Sequence, residues 1–244
     1  MDFYGITHTG KVRKDNQDVF RIEYDEPHQS AVLVVCDGMG GARAGNIASS
    51  MAAEVFTDAI CSAFETMNSL DDVKQAAHSA VALANEKVYK KGEEDPKCRG
   101  MGTTLVALLV TPYGNLVINV GDSRAYHVRH DGITQITRDH SVVAELVSQG
   151  KITKAEAYNH PNKNLITRAI GTAPEIAGDL FEIALGQHDY VLLCSDGLSN
   201  MIGDQEFHFE ILRQQDIGLV CDALIDLALD RGAPDNATVV LYRN

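Results

Sequence analysis

The chain has 244 residues, 45% hydrophobic and 23% charged, with 21 Lys+Arg against 34 Asp+Glu and a formal net charge of -13. A chain of this length buries a core without disulfides or structural zinc, and its acidic balance argues against nucleic acid or an anionic membrane as the main partner. The N-terminus MDFYGITHTG lacks the basic-then-apolar run of a signal peptide, and no stretch reaches the ~18 consecutive apolar residues of a membrane helix. Five scattered cysteines without a CxxC pair (Cys36, Cys61, Cys98, Cys194, Cys221) fit free thiols in a reducing cytoplasm.

In chain order, the first strand expected runs from Ala31 to Cys36. A helix follows from Gly45 to Met67, where Ala48, Met51, Ala52, Val55, Phe56, Ala59, Ile60, Ala63 and Phe64 recur at helical spacing. A second stripe, Val73, Ala76, Ala77, Ala80, Val81, Ala84 and Val88, lies between the turn-prone Asn68-Ser69 and Gly92. Short β-like runs come next, from Thr103 to Val110, Leu116 to Val120 and Ala125 to Val128. Hairpin turns mark Pro112-Tyr113-Gly114-Asn115 and His130-Asp131-Gly132. A short helix carrying Val142, Val143, Leu146 and Val147 leads through Gly150 into a polar stretch. Strands from Leu180 to Leu185 and Tyr190 to Cys194, a helix from Ile217 to about Arg231 and a strand from Thr238 to Tyr242 complete the chain. Hairpin-joined strands with helices grouped in pairs favour antiparallel sheets with helices on their outer faces over a parallel doubly wound sheet.

Aspartates fall at the ends of four apolar strands. The run ending at Cys36 meets Asp37-Gly38, Val120 meets Gly121-Asp122, Ser195 meets Asp196-Gly197, and Asp235-Asn236 opens the last strand. One Asp-Gly after a strand is ordinarily a turn. Four together imply carboxylates sharing a small volume, where repulsion raises pKa values or recruits a hard cation such as Mg2+, Mn2+ or Ca2+. The glycines of Asp37-Gly38-Met39-Gly40-Gly41 would let a backbone carbonyl approach such an ion.

Paired divalent ions can activate water against a phosphorus atom, and that chemistry needs a cation to hold the phosphate. Lys11-Val12-Arg13-Lys14, followed by Asp15-Asn16-Gln17-Asp18, is a local basic cluster in an acidic chain. The planar fork of Arg13 is the preferred clamp, although a basic turn commonly does no more than solvate. No cysteine sits in a phosphate-binding loop, so nothing supports a thiol nucleophile. His8, His78, His127, His140 and His160 have no HxxxH spacing and read as structural or exposed.

Arg13 with Asn16-Gln17-Asp18, Asp37-Gly38-Met39-Gly40-Gly41, Met101-Gly102-Thr103-Thr104, Gly121-Asp122-Ser123-Arg124, Asp139-His140-Ser141, Ser195-Asp196-Gly197 and Asp235-Asn236-Ala237-Thr238 stand in one order. With these motifs the chain resembles the bacterial metal-dependent PPM (PP2C-type) serine/threonine protein phosphatases from Gly5 to Leu241. The resemblance implies an α+β fold, a central antiparallel β-sandwich flanked by pairs of α-helices in four layers, α-β-β-α. It implies one domain over 1–244 with a flap-like segment at about 139–171.

It further implies hydrolysis of phosphoserine and phosphothreonine in proteins by a metal-bridged hydroxide, counteracting a cognate serine/threonine kinase. The alternative is a catalytically weak metal-binding module that recognises a phosphorylated partner. Two Mn2+ or Mg2+ ions would be held by Asp37, the Gly38 carbonyl, Asp196 and Asp235. Asp18 would act through a water, and Asp122, with Asp196, would hold a weaker third ion. Arg13 would bind the substrate phosphate. Partners would be phosphorylated proteins, with no nucleic acid or membrane, and the chain would be a cytoplasmic monomer. Many bacterial relatives carry a histidine directly after the Asp-Gly-Met-Gly-Gly run. Here Ala42 and Arg43 follow instead, so no side-chain general acid is assigned.

Overall fold

Successive side chains of a strand point to opposite faces, and a strand apolar on both faces must be covered on both. The computed structural model describes residues 1–158 and 160–244, without the side chains of residues 41–43 and 158. Its elements in order are β1 (Asp2–His8), β2 (Asp18–Asp25), β3 (Ser30–Met39), α1 (Gly41–Ala63), a single 3-10 turn (Phe64–Thr66), α2 (Leu70–Glu94), β4 (Gly102–Thr103), β5 (Leu105–Thr111), β6 (Gly114–Val120), β7 (Arg124–Arg129) and β8 (Gly132–Gln135). They continue with α3 (Val142–Ser148), α4 (Lys154–Tyr158), β9 (Asp179–Ile183), β10 (Tyr190–Cys194), α5 (Asp196–Ser199), α6 (Asp204–Leu212), α7 (Ile217–Asp230) and β11 (Ala237–Arg243).

Two antiparallel sheets form, one ordered β1-β11-β10-β7-β8 and the other β2-β3-β5-β6-β9, with β4 added alongside β3. Alternation sorts the side chains into three cores. Leu33 and Val35 of β3, Val106 and Leu108 of β5, Val191 and Leu193 of β10 and Val240 of β11 meet between the sheets. Val32, Val34 and Cys36 of β3 face outward onto Ala48, Ala52, Phe56 and Ile60 of α1 and Val81 of α2. Leu192 and Cys194 of β10 and Val239 and Leu241 of β11 face the opposite way, onto Phe207, Val220 and Leu224. The result is the expected four-layer α-β-β-α arrangement.

Local chemistry sets the helix starts. Ser69 caps α2 by accepting the Asp72 N–H, and Asp216 caps α7 by accepting the N–H groups of Gly218 and Leu219. The segment Ala44–Thr66 is long and apolar enough by composition to cross a membrane. Here its apolar stripe is a core face, with Ala48, Ala52, Phe56 and Ile60 fully buried.

Several boundaries differ from the sequence reading. The helix expected from Gly45 to Met67 begins at Gly41 and ends at Ala63, tightening into the 3-10 turn. The strand expected from Thr103 to Val110 breaks at Thr104, whose N–H bonds the Asp37 carbonyl at 2.9 Å. β3 continues through Asp37, Gly38 and Met39, because Asp18 pairs with Asp37 on one side and Gly102–Thr103 pairs with Gly38–Met39 on the other. The Asp37-Gly38 dipeptide is therefore strand and not turn. β1 and β2 escaped the pattern because polar residues interrupt them, and Gly5 leaves a place on β1 for the Phe20 ring. α5 and α6 are too short to show a period.

Antiparallel order puts alternate strand starts and ends at the same edge. At one end of the sandwich stand His8 opposite Ala237, Asp18 opposite Asp37, Leu105 opposite Val120, and Arg124 opposite Cys194. The loops 9–17, 121–123, 195–196 and 233–236 leave from that end.

Candidate metal and phosphate site

All five aspartates singled out in the sequence gather at this end. Asp18 and Asp37 come from the β2–β3 ladder, Asp122 from the turn after β6, Asp196 from the start of α5, and Asp235 from the turn before β11. Close backbone packing brings the loops together. A Cβ on Gly38 would stand 2.1 Å from the Gly45 carbonyl oxygen, and one on Gly197 would stand 1.9 Å from the Asn236 carbonyl oxygen. The turn of Asp235 is pinned by Asn236, whose Oδ1 accepts the Gln17 N–H at 2.9 Å while its Nδ2 donates to the carbonyls of Thr9 and Asp15.

The electrostatics are those of like charges forced together out of water. Burial raises the Asp37 carboxyl well above the ordinary range, and Asp18, Asp196, Asp122 and Asp235 raise it further. Burial, then Asp196 and Asp139, push Asp122 up to about 7. Burial pushes Asp18 up to about 6 against the opposing hydrogen bonds of Thr238 and Ser195. Asp196 is raised by burial and by Asp235, while a hydrogen bond with Asp37 and the nearby Arg124 and Asn200 restrain it. Among the described residues, no three His, Cys, Asp or Glu side chains close into a ready ligand cage.

The donors nevertheless suit a hard cation. They are carboxylate and carbonyl oxygens, and Asp18 Oδ1 is buried with no hydrogen-bond partner. Burial raises the Cys36 and Cys194 thiols, so neither is a thiolate at neutral pH.

Arg13 Nη2 lies 2.7 Å from Asp235 Oδ2, with 57% of the Arg13 side chain exposed. Its hydrogen bond to Asp235, and the charges of Asp235, Asp37 and Asp196, raise its pKa further. The one basic residue expected to meet an anion thus stands at the rim of the acidic cluster with its guanidinium open to solvent. Ala42 and Arg43, weighed in the sequence reading, have side chains outside the described residues.

The sequence reading missed the polar residues that hold the aspartates. Thr104 Oγ1 accepts the Asp37 N–H at 2.9 Å and stands 2.7 Å from Ser123 Oγ, tying Asp37 to the Asp122 turn. Arg124, beside Asp122, points away from solvent and grips Asp139 through both Nε and Nη2. His140 is buried. Its Nδ1 accepts the Gly121 N–H at 3.0 Å, and its Nε2 lies 3.2 Å from Asp179 Oδ2 without hydrogen-bond alignment. The motif spacing was visible in the sequence, but these cross-strand partners were not.

Beyond Asp139 the chain leaves the sandwich and returns. Short bridges join Ser141 to Ile166 and Thr103 to Ile170, and Asn85 holds the Gly171 N–H. Between these anchors α3 buries no residue, and α4 is held at its start by the Thr153 and Glu156 exchange of hydrogen bonds. A groove of about 670 Å³ lined by Asp2, Tyr4, Ile217 and Arg243 lies at the far end of the β1–β11 ladder and contains none of the five aspartates.

Comparison with known proteins adds a family, a relative and two solved structures. The family model described as Protein phosphatase 2C matches residues 7–217. Protein phosphatase PhpP of Streptococcus pneumoniae is 36% identical over 242 residues, covering 99% of this chain and 96% of the relative. Among solved structures, serine/threonine phosphatase Stp1 from Staphylococcus aureus is similar with a TM-score of 0.90 and 38% identity, over 100% of this chain and 94% of that one. The catalytic domain of serine threonine protein phosphatase PstP in complex with 2 manganese ions is similar with a TM-score of 0.84 and 33% identity, over 98% and 96%.

Proposed function

The chain belongs to the protein phosphatase 2C family, and from that premise we propose that it hydrolyses phosphoserine and phosphothreonine in proteins with two divalent cations, Mn2+ or Mg2+. Asp37, the Gly38 carbonyl, Asp196 and Asp235 hold them, and Asp122 with Asp196 holds a weaker third. The observation that carries this reading is the convergence of five aspartates, from both sheets, at one end of the sandwich, with Asp18 Oδ1 buried and unpartnered. When bound, the cations neutralise the cluster and acidify water for attack on phosphorus.

The chain's own residues do the rest. Arg13 at the rim binds two phosphate oxygens and brings the dianion into a site that would otherwise repel it. Asp18 orients water as an acceptor. Ser195 is no nucleophile, because its hydroxyl donates to Asp18 and accepts the Thr238 N–H. Water therefore displaces the alkoxide directly, the phosphorus–oxygen ester bond breaks, and the water's protons end on the leaving alcohol and solvent. The segment 139–171 forms a flap beside the site, anchored at its base through Asp139, His140 and Ile170. The substrates are proteins phosphorylated by a cognate serine/threonine kinase in the cytoplasm, and one domain over 1–244 carries the activity.

Release of phosphate from p-nitrophenyl phosphate and a phosphothreonine peptide tests this. Activity should require Mn2+ or Mg2+ and vanish with chelator and in Asp37→Ala. Folded protein saturated with Mn2+ that releases no phosphate from either compound would refute the reading and leave a phosphoprotein-binding module.

A further inference from the structure

The two carboxylate oxygens of Asp18 are treated differently. Oδ2 accepts hydrogen bonds from Ser195 Oγ at 2.7 Å and Thr238 Oγ1 at 2.6 Å, whereas Oδ1 is buried and unpartnered. Neither donor is free to turn away. Ser195 Oγ accepts the Thr238 N–H at 3.0 Å, which leaves its single proton for Asp18. Thr7 Oγ1 accepts from Asn16 Nδ2 at 2.9 Å and lies 2.6 Å from Thr238 Oγ1. Thr7 gives its proton to Thr238, and Thr238 gives its own to Asp18. The row Asn16, Thr7, Thr238, Asp18 therefore runs in one direction and closes on a carboxylate acceptor. Thr7 and Thr238 face each other on one sheet, while Asp18 opposes Asp37 on the other, so the row crosses between the sheets.

We propose that Thr238, with Ser195 beside it and Thr7 behind it, is a positioning residue for the cation site: by clamping Oδ2 it leaves Oδ1 of Asp18 as the oxygen presented to that site. The inference rests on the reading that cations bind at Asp37, Asp196 and Asp235. No ligand role is needed for Thr238 itself, whose hydroxyl is fully engaged with Thr7 and Asp18.

The test compares Thr238→Val, which removes the hydroxyl and keeps the shape, with Thr238→Ser, which keeps the hydroxyl and removes a methyl. Mn2+ binding is measured without substrate, by titration calorimetry and by the spectroscopic signal of free Mn2+, with folding checked by circular dichroism. Thr238→Val should weaken Mn2+ binding about ten-fold or more, the scale seen when partners behind metal ligands are removed. Thr238→Ser should recover to within about three-fold of the wild type, and Thr7→Val, one bond further away, should fall between them. Should Thr238→Val fail to fold, Ser195→Ala removes the other donor and carries the same comparison. Folded Thr238→Val or Ser195→Ala with wild-type Mn2+ affinity overturns the proposal, as does Thr238→Ser binding as weakly as Thr238→Val. A wild-type chain that binds no Mn2+ overturns instead the reading of the cation site.

Discussion

Replacing Asp122 by asparagine removes one charge from the acidic cluster and keeps its shape. The Asp122 carboxyl is raised from 3.8 to about 7, first by burial and then by Asp196 and Asp139. A carboxyl whose folded pKa lies above its unfolded value binds more protons when folded, so the stability of the metal-free protein falls as pH rises from about 4 to about 7 and is flat above that. At about 1.36 kcal/mol per unit, roughly three units correspond to about 4 kcal/mol. Neighbouring carboxyls take up protons as Asp122 ionises, which leaves about 2 to 4 kcal/mol for the single substitution. In a chain of this length each kcal/mol moves the midpoint by about 2 to 4 °C, so metal-free Asp122→Asn should melt about 4 to 16 °C above the wild type at pH 8 and together with it near pH 4. Melting curves in chelator across that range measure it. Saturating Mn2+ should shrink or reverse the gap, because only the wild type keeps the carboxylate proposed to hold a weaker third ion. Parallel wild-type and variant profiles across pH would refute the reasoning, since the carboxyl would then carry no excess proton.

Arg13→Ala should raise KM for p-nitrophenyl phosphate about ten-fold with a smaller change in kcat, if the guanidinium is the ground-state phosphate contact proposed above; an unchanged KM removes Arg13 from the site. Gly197→Ala should cost about 3 kcal/mol in denaturant unfolding, since its Cβ would stand 1.9 Å from the Asn236 carbonyl oxygen. A wild-type midpoint would show that the 195–197 and 235–236 loops are not locked together.

The layers and the acidic site were legible in the sequence for the same reason. Buried strands read as unbroken apolar runs, and the aspartates are conspicuous because they flank those runs at one end or the other. Asp37, Asp122, Asp196 and Asp235 all announce themselves in this way. Asp18 has no apolar run before it, and only its place in a motif drew it in. β1 and β2, exposed along one edge, mix Asp, Tyr, Glu and Arg with apolar residues and show no clean alternation. Less legible still were the contacts that set side-chain direction. Thr7, Thr238 and Ser195 lie up to 231 residues apart in the chain, and no local pattern marks a hydroxyl that donates to one particular carboxylate. Arg124 was equally opaque: beside Asp122 it could have served phosphate, and the fold commits it to Asp139.

The position of the site between two sheets has a thermodynamic consequence. Asp18 and Asp37 belong to one sheet, Asp196 and Asp235 to the margin of the other, and the hydrogen bonds to Asp18 from Ser195 and Thr238 cross between them. In the metal-free chain the carboxylates push the two layers apart at this end, while Leu33, Val106, Val191 and Val240 hold them together behind it. A cation held, as proposed, by Asp37 and Asp196 would bind the assembled sandwich and not the unfolded chain, so its binding energy would add to the stability of the fold. The same linkage runs in reverse. Packing between the sheets sets how closely the carboxylates stand in the metal-free chain, and with it the repulsion that a bound cation would relieve. On the proposed reading the net charge of -13 is no obstacle to an anionic substrate: with cations neutralising the five aspartates, Arg13 at the rim would be the charge that a phosphate meets first.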